Sequence, residues 1–324
     1  MRHLLKITRN SPRGRFSENR RGNGGLRISD FRPMIRGMPE LPEVETSRRR
    51  VEKVLKGKRL VEVVPDSDDH IVFDQASGDE FRKAIEGAKV IGTGRKGKYF
   101  WLELNRKPWP VFHLGMSGNV EIRRKKGFEK AWGGFKLWSE PSRKGLDLKI
   151  LPFCKLRLIA EDGSEIAITD PRRFGRIRLA KDPMREVPIS KLGFDPLLNF
   201  PTAKNLALVL KRRRAPIKAV LLDQGVFAGV GNWIADEVLY QARLSPHRLA
   251  ARLTDAEIAR LRTTLLAIVK KSIAVGADYD RYPKTWLFHH RWGKSKDAMT
   301  SRKQKIQHDT VGGRTTAWVP SVQV

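Results

Sequence analysis

Cysteine is almost absent from this sequence, since Cys154 is the only one among 324 residues. A disulfide within the chain is therefore impossible, and so is a zinc site built from paired cysteines. Histidine is scarce as well. Of the seven histidines only His289 and His290 lie close together, and adjacent residues do not easily converge on one ion. The sequence therefore predicts a protein without a bound metal.

Long hydrophobic runs and acidic residues are also in short supply. No stretch approaches the ~18 consecutive apolar residues of a membrane-spanning helix, so no such span is predicted. Asp and Glu number 35 against 65 Lys and Arg, for a formal net charge of +30. A field of this sign attracts polyanions, and the basic runs are spread along the chain instead of lying on one amphipathic helix. Nucleic acid is therefore favoured over a membrane surface as the partner.

The first 37 residues differ in composition from the rest. They contain ten Lys and Arg against Glu18 and Asp30, several Gly, Ser and Pro residues, and no sustained periodicity. Such a composition is typical of disorder, but an Arg-rich targeting extension or a start codon assigned too early would look the same. Without this segment a surplus of about 22 positive charges remains, so the basic character belongs to the whole chain.

Residues 38–182 have the pattern of a helix followed by mostly β structure. Apolar residues from Val44 to Leu55 recur at helical spacing, and Gly57 ends the helix. Between 59 and 180, short β-branched and aromatic runs alternate with turns such as Asp162-Gly163, and the helical segment DEFRKAIEGA interrupts them. The pattern predicts an α+β protein whose N-terminal part is a two-sheet β-sandwich flanked by helices.

The period becomes helical after a proline-rich linker at 183–201. Helices are expected after Thr202, over IKAVLLDQ, over WIADEVLYQA with Asn232 as its cap, and from the capping box Thr254-x-x-Glu257 to Gly276. The aromatic and basic remainder suits a small β-hairpin. The predicted organisation is an extension at 1–37, a sandwich domain at 38–182, a linker at 183–201, a helical domain at 202–282 and a hairpin segment at 283–324.

Three turn motifs have the composition of ligand-binding loops, although each also has an ordinary structural explanation. VFAGVGNW could approach an anion with backbone N–H groups at a helix N-terminus, or could simply join two packed helices. HLGMSG and TDPRRFG could present Met116 and Phe174 as wedges between DNA bases, or as loosely packed side chains.

Together, PELPEVE, RKGKYFWLEL, HLGMSG, TDPRRFG and GVGNWIADEVLY resemble, in that order, the formamidopyrimidine-DNA glycosylase family. The C-terminal RKQKIQ and GGRTTAWVP are similar to its zincless-finger branch, in which the hairpin lacks four zinc-binding cysteines. The resemblance implies a sandwich joined to a helix–two-turn–helix domain. It also implies a bifunctional DNA glycosylase and AP lyase of base-excision repair that needs no cofactor and acts as a monomer on damaged double-stranded DNA.

The resemblance further implies catalytic residues. Pro39 would be the nucleophile, because removal of Met38 turns its ring nitrogen into a free secondary amine that can form a Schiff base with deoxyribose. Glu40 and Glu43 would be catalytic carboxylates, although both could equally stabilise a helix N-terminus. Lys98 and Arg314 would hold phosphates beside the lesion.

The same resemblance implies a set of DNA-binding residues. Met116, Arg172 and Phe174 would fill the space that a flipped-out nucleotide leaves, and Asn232 would bind a backbone phosphate. Glu237 matches a family glutamate that follows the turn, and we group it with these DNA-binding residues.

Three further expectations follow from the resemblance. A chain that retains residues 1–37 would have an inert proline, so the functional protein is expected to begin at Met38 or to be processed; a non-catalytic damaged-DNA-binding protein is the alternative. The short stretch between Gly276 and Trp286 predicts better excision of formamidopyrimidines and further-oxidised guanines than of 8-oxoguanine. The expected compartment is the nucleus in a eukaryote, or an organelle reached through residues 1–37, and otherwise the cytoplasm or nucleoid.

Overall fold

The computed structural model describes residues 38–324 except 68, 125–126, 129–150 and 294. The predictions for residues 1–37 therefore lie outside the described residues. Within the described ranges, no helix combines the length and the apolar character that crossing a bilayer requires.

The first helix forms as its apolar pattern predicts. Helix α1 spans Leu41–Leu55 and buries Val44, Val51 and Val54. It ends before Gly57, whose φ of +85° lies in the left-handed region that favours glycine. The second helix, α2, spans Gly78–Ile85 and lies in the segment predicted to be helical.

Two antiparallel sheets follow and confirm the predicted sandwich. The core contains side chains from both sheets and from α1, among them Phe100 and Phe112 on one sheet and Leu158 and Ile166 on the other. One sheet has the strand order β2-β3-β4-β9 and the other β1-β7-β8-β5-β6. The strands are β1 Leu60–Pro65, β2 Val90–Lys96, β3 Tyr99–Leu104, β4 Trp109–His113, β5 Asn119–Arg124, β6 Gly127–Phe128, β7 Cys154–Ala160, β8 Glu165–Thr169 and β9 Arg176–Ala180.

The C-terminal half is helical and ends in a hairpin. Thr202 caps the first of its helices, and the predicted capping box of Thr254 and Glu257 opens the longest. In the hairpin, Gly312 and Gly313 both have positive φ, which a tight two-residue turn requires. The elements are α3 Ala203–Leu210, α4 Ile217–Leu222, α5 Asn232–Gln241, α6 Asp255–Ala274, β10 Gln307–Val311 and β11 Arg314–Trp318.

A buried ionic network attaches the hairpin to the helices. Asp236 on α5 accepts hydrogen bonds from Lys218 on α4, from the Arg291 guanidinium and from the N–H of Ala317 on β11. Lys218 also donates a hydrogen bond of 2.7 Å to the Thr316 hydroxyl. Lys218 and Asp236 are at most 1% exposed and Arg291 is 9% exposed. Because unpaired buried charges are costly, this network fixes the hairpin against α4 and α5.

Candidate active site

One cleft brings together residues that lie far apart in the sequence. Its volume is about 620 Å³, and its walls come from the chain before α1, the β2–β3 turn, the sandwich loops, the start of α5 and the hairpin. None of the described residues that line it is acidic. The predicted site residues on its walls are Pro39, Lys98, Met116, Phe174, Asn232 and Arg314.

Glu40, the residue after Pro39, is buried and caps a helix of the other half of the protein. Its carboxylate accepts the N–H groups of Gly231 and Trp233, each at 2.8 Å, and that of Ile234 at 3.3 Å. These are the otherwise unpaired amides at the start of α5, where negative charge is stabilised. Burial nevertheless raises the pKa of Glu40, against the opposing effects of the Lys98 charge and these amides.

The start of α5 corrects one sequence prediction. Asn232 was expected to cap this helix, but the cap position is Gly231, and the capping carboxylate is that of Glu40. A Cβ at position 231 would lie 2.3 Å from the Glu40 Cδ atom, so only glycine leaves room for the carboxylate. Asn232 donates its side-chain amide to the Thr315 carbonyl at 2.9 Å and lines the cleft.

Glu43 lies behind Glu40 and is completely buried. Its carboxylate accepts the backbone N–H of Glu40 at 2.9 Å, and the Tyr282 hydroxyl lies 3.4 Å from its other oxygen. Burial and, secondarily, the charge of Glu40 raise the pKa of Glu43 to about 8. Glu43 is therefore largely protonated at neutral pH and orients the backbone that carries Glu40 and Pro39.

Lys98 is presented by the tight turn between β2 and β3. Asp195, which is fully buried, accepts the N–H of Gly97 at 2.8 Å and forms a bidentate pair with Arg95, which in turn contacts Glu45. Burial lowers the pKa of Lys98, while the charges of Glu40 and Glu43 oppose that shift. Sequence patterns did not single out Asp195, and Arg95 stood out only as the first residue of the basic motif RKGKYFWLEL, because their pairing joins positions 100 residues apart.

Met116, Arg172 and Phe174, which the resemblance predicts to fill the space of a flipped-out nucleotide, form one cluster at the edge of the cleft. The Arg172 guanidinium lies 3.2 Å from the Met116 sulfur and 4.8 Å from the centre of the Phe174 ring. Asp170 joins the two loops by accepting the Ser117 hydroxyl and the N–H of Gly175. Phe174 is 49% exposed, so a large aromatic side chain projects into solvent from a fixed turn.

Arg314 extends the cleft from the hairpin. It is exposed and forms no ion pair with any residue in the described ranges. The tip of the hairpin packs closely on α4, since a Cβ at Gly312 would lie 3.0 Å from Ala219. The position of this free guanidinium is therefore set by packing and by the buried network around Asp236.

Two further residues of the cleft were not singled out from the sequence. His113 and Tyr99 lie with their ring centres 4.5 Å apart, and both line the cleft. Burial lowers the pKa of His113 to about 4, and the charge of Lys98 adds to that shift, so the imidazole is neutral at neutral pH. Its Nδ1 accepts the N–H of Gly115, which leaves the Nε2–H as a hydrogen-bond donor. The HLGMSG motif contains this histidine, but only its turn attracted attention in the sequence.

Glu237 does not join the cleft. It is fully buried, and its carboxylate accepts the N–H of Phe288 at 2.8 Å and the Gln241 amide at 2.6 Å. The sequence placed Glu237 among the DNA-binding residues. Its carboxylate has no exposed surface and therefore cannot contact DNA in this arrangement. Its position instead joins α5 to residues 287–289. Burial raises its pKa to about 7.

The shift at Glu237 predicts a pH dependence of stability. The pKa of Glu237 rises from 4.5 to about 7 on folding, so the folded protein binds this proton more tightly than the unfolded chain does. The stability gained from the bound proton is complete below pH 4.5 and is lost as the pH rises to about 7. Replacing Glu237 with Gln removes this titration. We expect the stability of Glu237→Gln relative to the parent protein to increase by on the order of 3 kcal/mol between pH 4.5 and pH 8.

Denaturant unfolding of both proteins across this pH range measures the difference. The titrations of all other groups cancel in that difference, and the exposed Glu62→Gln supplies the control. A pH-independent difference between parent and Glu237→Gln would contradict the assigned shift.

Metal ligands do not cluster in the part of the chain described. Among these residues, no group of three or more His, Cys, Asp and Glu side chains is arranged to hold an ion.

Comparison with known proteins places the chain in a family. A family profile described as the formamidopyrimidine-DNA glycosylase N-terminal domain matches residues 38–177, and one described as the H2TH domain of the same enzyme matches residues 192–282. The chain belongs to the formamidopyrimidine-DNA glycosylase family. The two matches divide the chain between the sandwich and the helical half.

Individual relatives agree with this assignment. The chain is 40% identical to a formamidopyrimidine-DNA glycosylase of Arabidopsis thaliana over 88% of its own length and 71% of that protein. It is 36% identical to one from Acidiphilium cryptum, over 79% of this chain and 86% of the relative. Among solved structures, it is similar to the Lactococcus lactis enzyme in complex with DNA that contains an abasic site, with a TM-score of 0.70 and 25% identity over 88% of this chain and 99% of the other.

Proposed function

We propose that this protein is a bifunctional DNA glycosylase and AP lyase that removes oxidised purines in base-excision repair. The observation that carries the proposal is the cleft, because Pro39, Lys98, Asn232 and Arg314 line one cavity. The residue after Pro39, Glu40, has its carboxylate buried at the start of α5. This arrangement combines a nucleophile with a buried acid–base group and with cations for phosphate.

Pro39 serves as the nucleophile once its nitrogen is a free amine. The nitrogen bonds to C1′ of the damaged nucleotide as the glycosidic bond breaks. The nitrogen then loses its proton, and this proton leaves with the departing base. Glu40, whose pKa is raised by burial, protonates the ring oxygen as the sugar opens. The lone pair of the deprotonated nitrogen expels the ring oxygen, which leaves an iminium ion between Pro39 and C1′.

Strand cleavage follows from the iminium. Its positive charge acidifies the C2′ proton, and removal of that proton expels the 3′ phosphate by β-elimination. A second elimination expels the 5′ phosphate, and water then releases the sugar fragment and regenerates Pro39. Lys98 and Arg314 stabilise the phosphates that flank this site, because both cations line the cleft and no described acidic residue does.

The exposed cluster of Met116, Arg172 and Phe174 occupies the space vacated by the flipped nucleotide. A base must leave the stack before Pro39 can reach its sugar, which costs a few kcal/mol of unstacking. A side-chain wedge recovers part of that cost. The contacts among Met116, Arg172 and Phe174 hold such a wedge together before DNA binds.

Residues 1–37 bear directly on this chemistry, because an amide nitrogen at Pro39 is not nucleophilic. We infer that the active form begins at Pro39, through a start at Met38 or through processing. A non-catalytic protein that binds damaged DNA is the alternative if Pro39 stays acylated. The short segment 277–285 supports the further proposal that formamidopyrimidines and further-oxidised guanines are preferred to 8-oxoguanine.

The direct test is a lesion-cleavage assay. Protein prepared to begin at Pro39 is incubated with a duplex that contains one formamidopyrimidine opposite cytosine, and base release and strand scission are measured separately. We expect both, with phosphate on each side of the resulting gap. Binding of the duplex with neither base release nor scission would favour the non-catalytic alternative.

A further inference from the structure

A second cavity lies at the opposite end of α5 from the cleft. Its volume is about 530 Å³, within the range of small-molecule sites. The cleft is lined by Asn232, the first residue of α5, and this cavity by Tyr240 and Gln241, the last two. These ends are roughly 13 Å apart along the helix axis. The two cavities share no lining residue, so the second is a separate site.

The charge of this cavity is one-sided. Arg243 and Arg302 line it, and neither forms an ion pair with a residue in the described ranges. No described lining residue is acidic. Gln241 donates its side-chain amide to the Glu237 carboxylate, which is fully buried and does not line the cavity.

The backbone at Arg243 adds a second observation. Arg243 follows the C-terminal end of α5 and has a φ of +54°. At this helix end, the N–H of Arg243 donates to the Tyr240 carbonyl and the N–H of Leu244 donates to the Leu239 carbonyl. Glycine is the usual residue at this position, because a side chain there costs about 1–2 kcal/mol. An arginine therefore occupies a position at which its side chain is unfavourable for folding, and strain of this kind clusters at functional sites.

Tyr240 and Trp286 also contribute polar donors to the lining of the cavity. The Tyr240 hydroxyl donates to the side-chain oxygen of Gln304 at 2.9 Å, so the NH₂ group of Gln304 takes no part in this contact. Trp286 is 7% exposed and lines the cavity, and its indole N–H donates to no residue in the described part of the chain. Two guanidinium groups without an acidic partner among the described lining residues make this cavity suited to an anion.

We propose that this cavity binds a small phosphate-bearing molecule of nucleotide size. Arg243 and Arg302 both line the cavity, and two guanidinium groups offer more N–H donors than the two oxygens of one carboxylate need, which favours the three oxygens of a phosphate. The volume exceeds that needed for inorganic phosphate alone, and the Trp286 and Tyr240 rings provide apolar edges for the rest of the molecule. A ligand here contacts the C-terminal end of α5, whose N-terminal end is capped by the Glu40 carboxylate.

Equilibrium dialysis with labelled AMP, at physiological salt, tests the proposal in the full-length protein. We expect saturable binding of one AMP per chain, displaced by inorganic phosphate in excess but not by adenosine. Arg302→Gln and Arg243→Gly should each weaken binding roughly tenfold or more. Arg243→Gly also relieves the left-handed strain, so its Tm should equal or exceed that of the parent protein.

Two control variants separate this site from general attraction of anions to a basic protein. Arg314→Ala alters the cleft, and Arg252→Ala removes an exposed arginine that lines neither cavity. Both should bind AMP within about twofold of the parent protein. Absence of saturable binding, equal loss in the controls, displacement by adenosine, or displacement by undamaged duplex DNA in Arg314→Ala would each overturn the proposal.

Discussion

A protein that retains any residue before Pro39 should form no borohydride-stable adduct with an abasic-site duplex, whereas the same chain beginning at Pro39 should form one. The reason is electronic. The lone pair of an acylated proline nitrogen is delocalised into the carbonyl group, so it can neither attack C1′ nor form an iminium that borohydride reduces. This is an all-or-none effect, the largest that we expect from any single change to the chain.

The comparison needs two preparations that differ only before Pro39. Intact mass spectrometry establishes where each begins, and gel analysis after borohydride treatment counts the adduct. Both preparations should bind the duplex, because Lys98, Asn232 and Arg314 are present in both. Pro39→Ala supplies a third sample, in which the N-terminal amine is primary instead of secondary. An equal adduct yield from the preparation with a blocked Pro39 would refute the assignment of its nitrogen as the nucleophile.

Glu40→Gln, in protein that begins at Pro39, should lower the rate of formamidopyrimidine excision by about 10²–10⁴-fold. Glutamine retains one oxygen that can accept the N–H groups of Gly231 and Ile234, but it cannot transfer a proton to the opening sugar. Its NH₂ group faces the N–H of Trp233, so one buried donor loses its acceptor, at a cost of about 1–3 kcal/mol. Single-turnover kinetics, with Tm measured in parallel, separates the two effects.

Gly231→Ala tests the same carboxylate without removing it. The added methyl group would lie 2.3 Å from the Glu40 Cδ atom, so the carboxylate or the start of α5 must move. A displacement of about 1 Å in a catalytic group costs on the order of 10²-fold in rate. Gly225→Ala, in the same segment but with 3.1 Å to its nearest neighbour, should change the rate little. If Gly231→Ala excises as fast as Gly225→Ala, the position of Glu40 does not limit the reaction.

The capping of α5 by Glu40 has a mechanistic consequence. Glu40, the residue after Pro39, binds the first N–H groups of α5, the helix that begins at Asn232. Asp236, on the same helix, anchors the hairpin that carries Arg314. Under the proposed function, a shift of α5 would therefore change the surroundings of the Glu40 carboxylate directly. The buried pair of Asp195 and Arg95 acts in the same way on Lys98, because it holds the turn that presents this lysine.

Local features of the sequence were sufficient for most of the fold. Apolar periodicity predicted α1, the alternating runs predicted a two-sheet sandwich, and the Thr254 capping box marked the start of α6. The long motifs were sufficient for the family. Residues 1–37 lie outside the described residues, so their role, and the compartment they imply, stay predictions.

The sequence by itself determined the elements, the basic charge, the lack of cysteine ligands and the family, because each of these depends on residue types or on neighbours within a few positions. Only the tertiary structure decided that Glu40, and not Asn232, caps α5, that Glu237 is buried away from the cleft, and that Asp195 holds the Lys98 turn. These facts depend on pairs of residues about 50 to 190 positions apart, and burial and pairing between such positions arise only when the chain has packed.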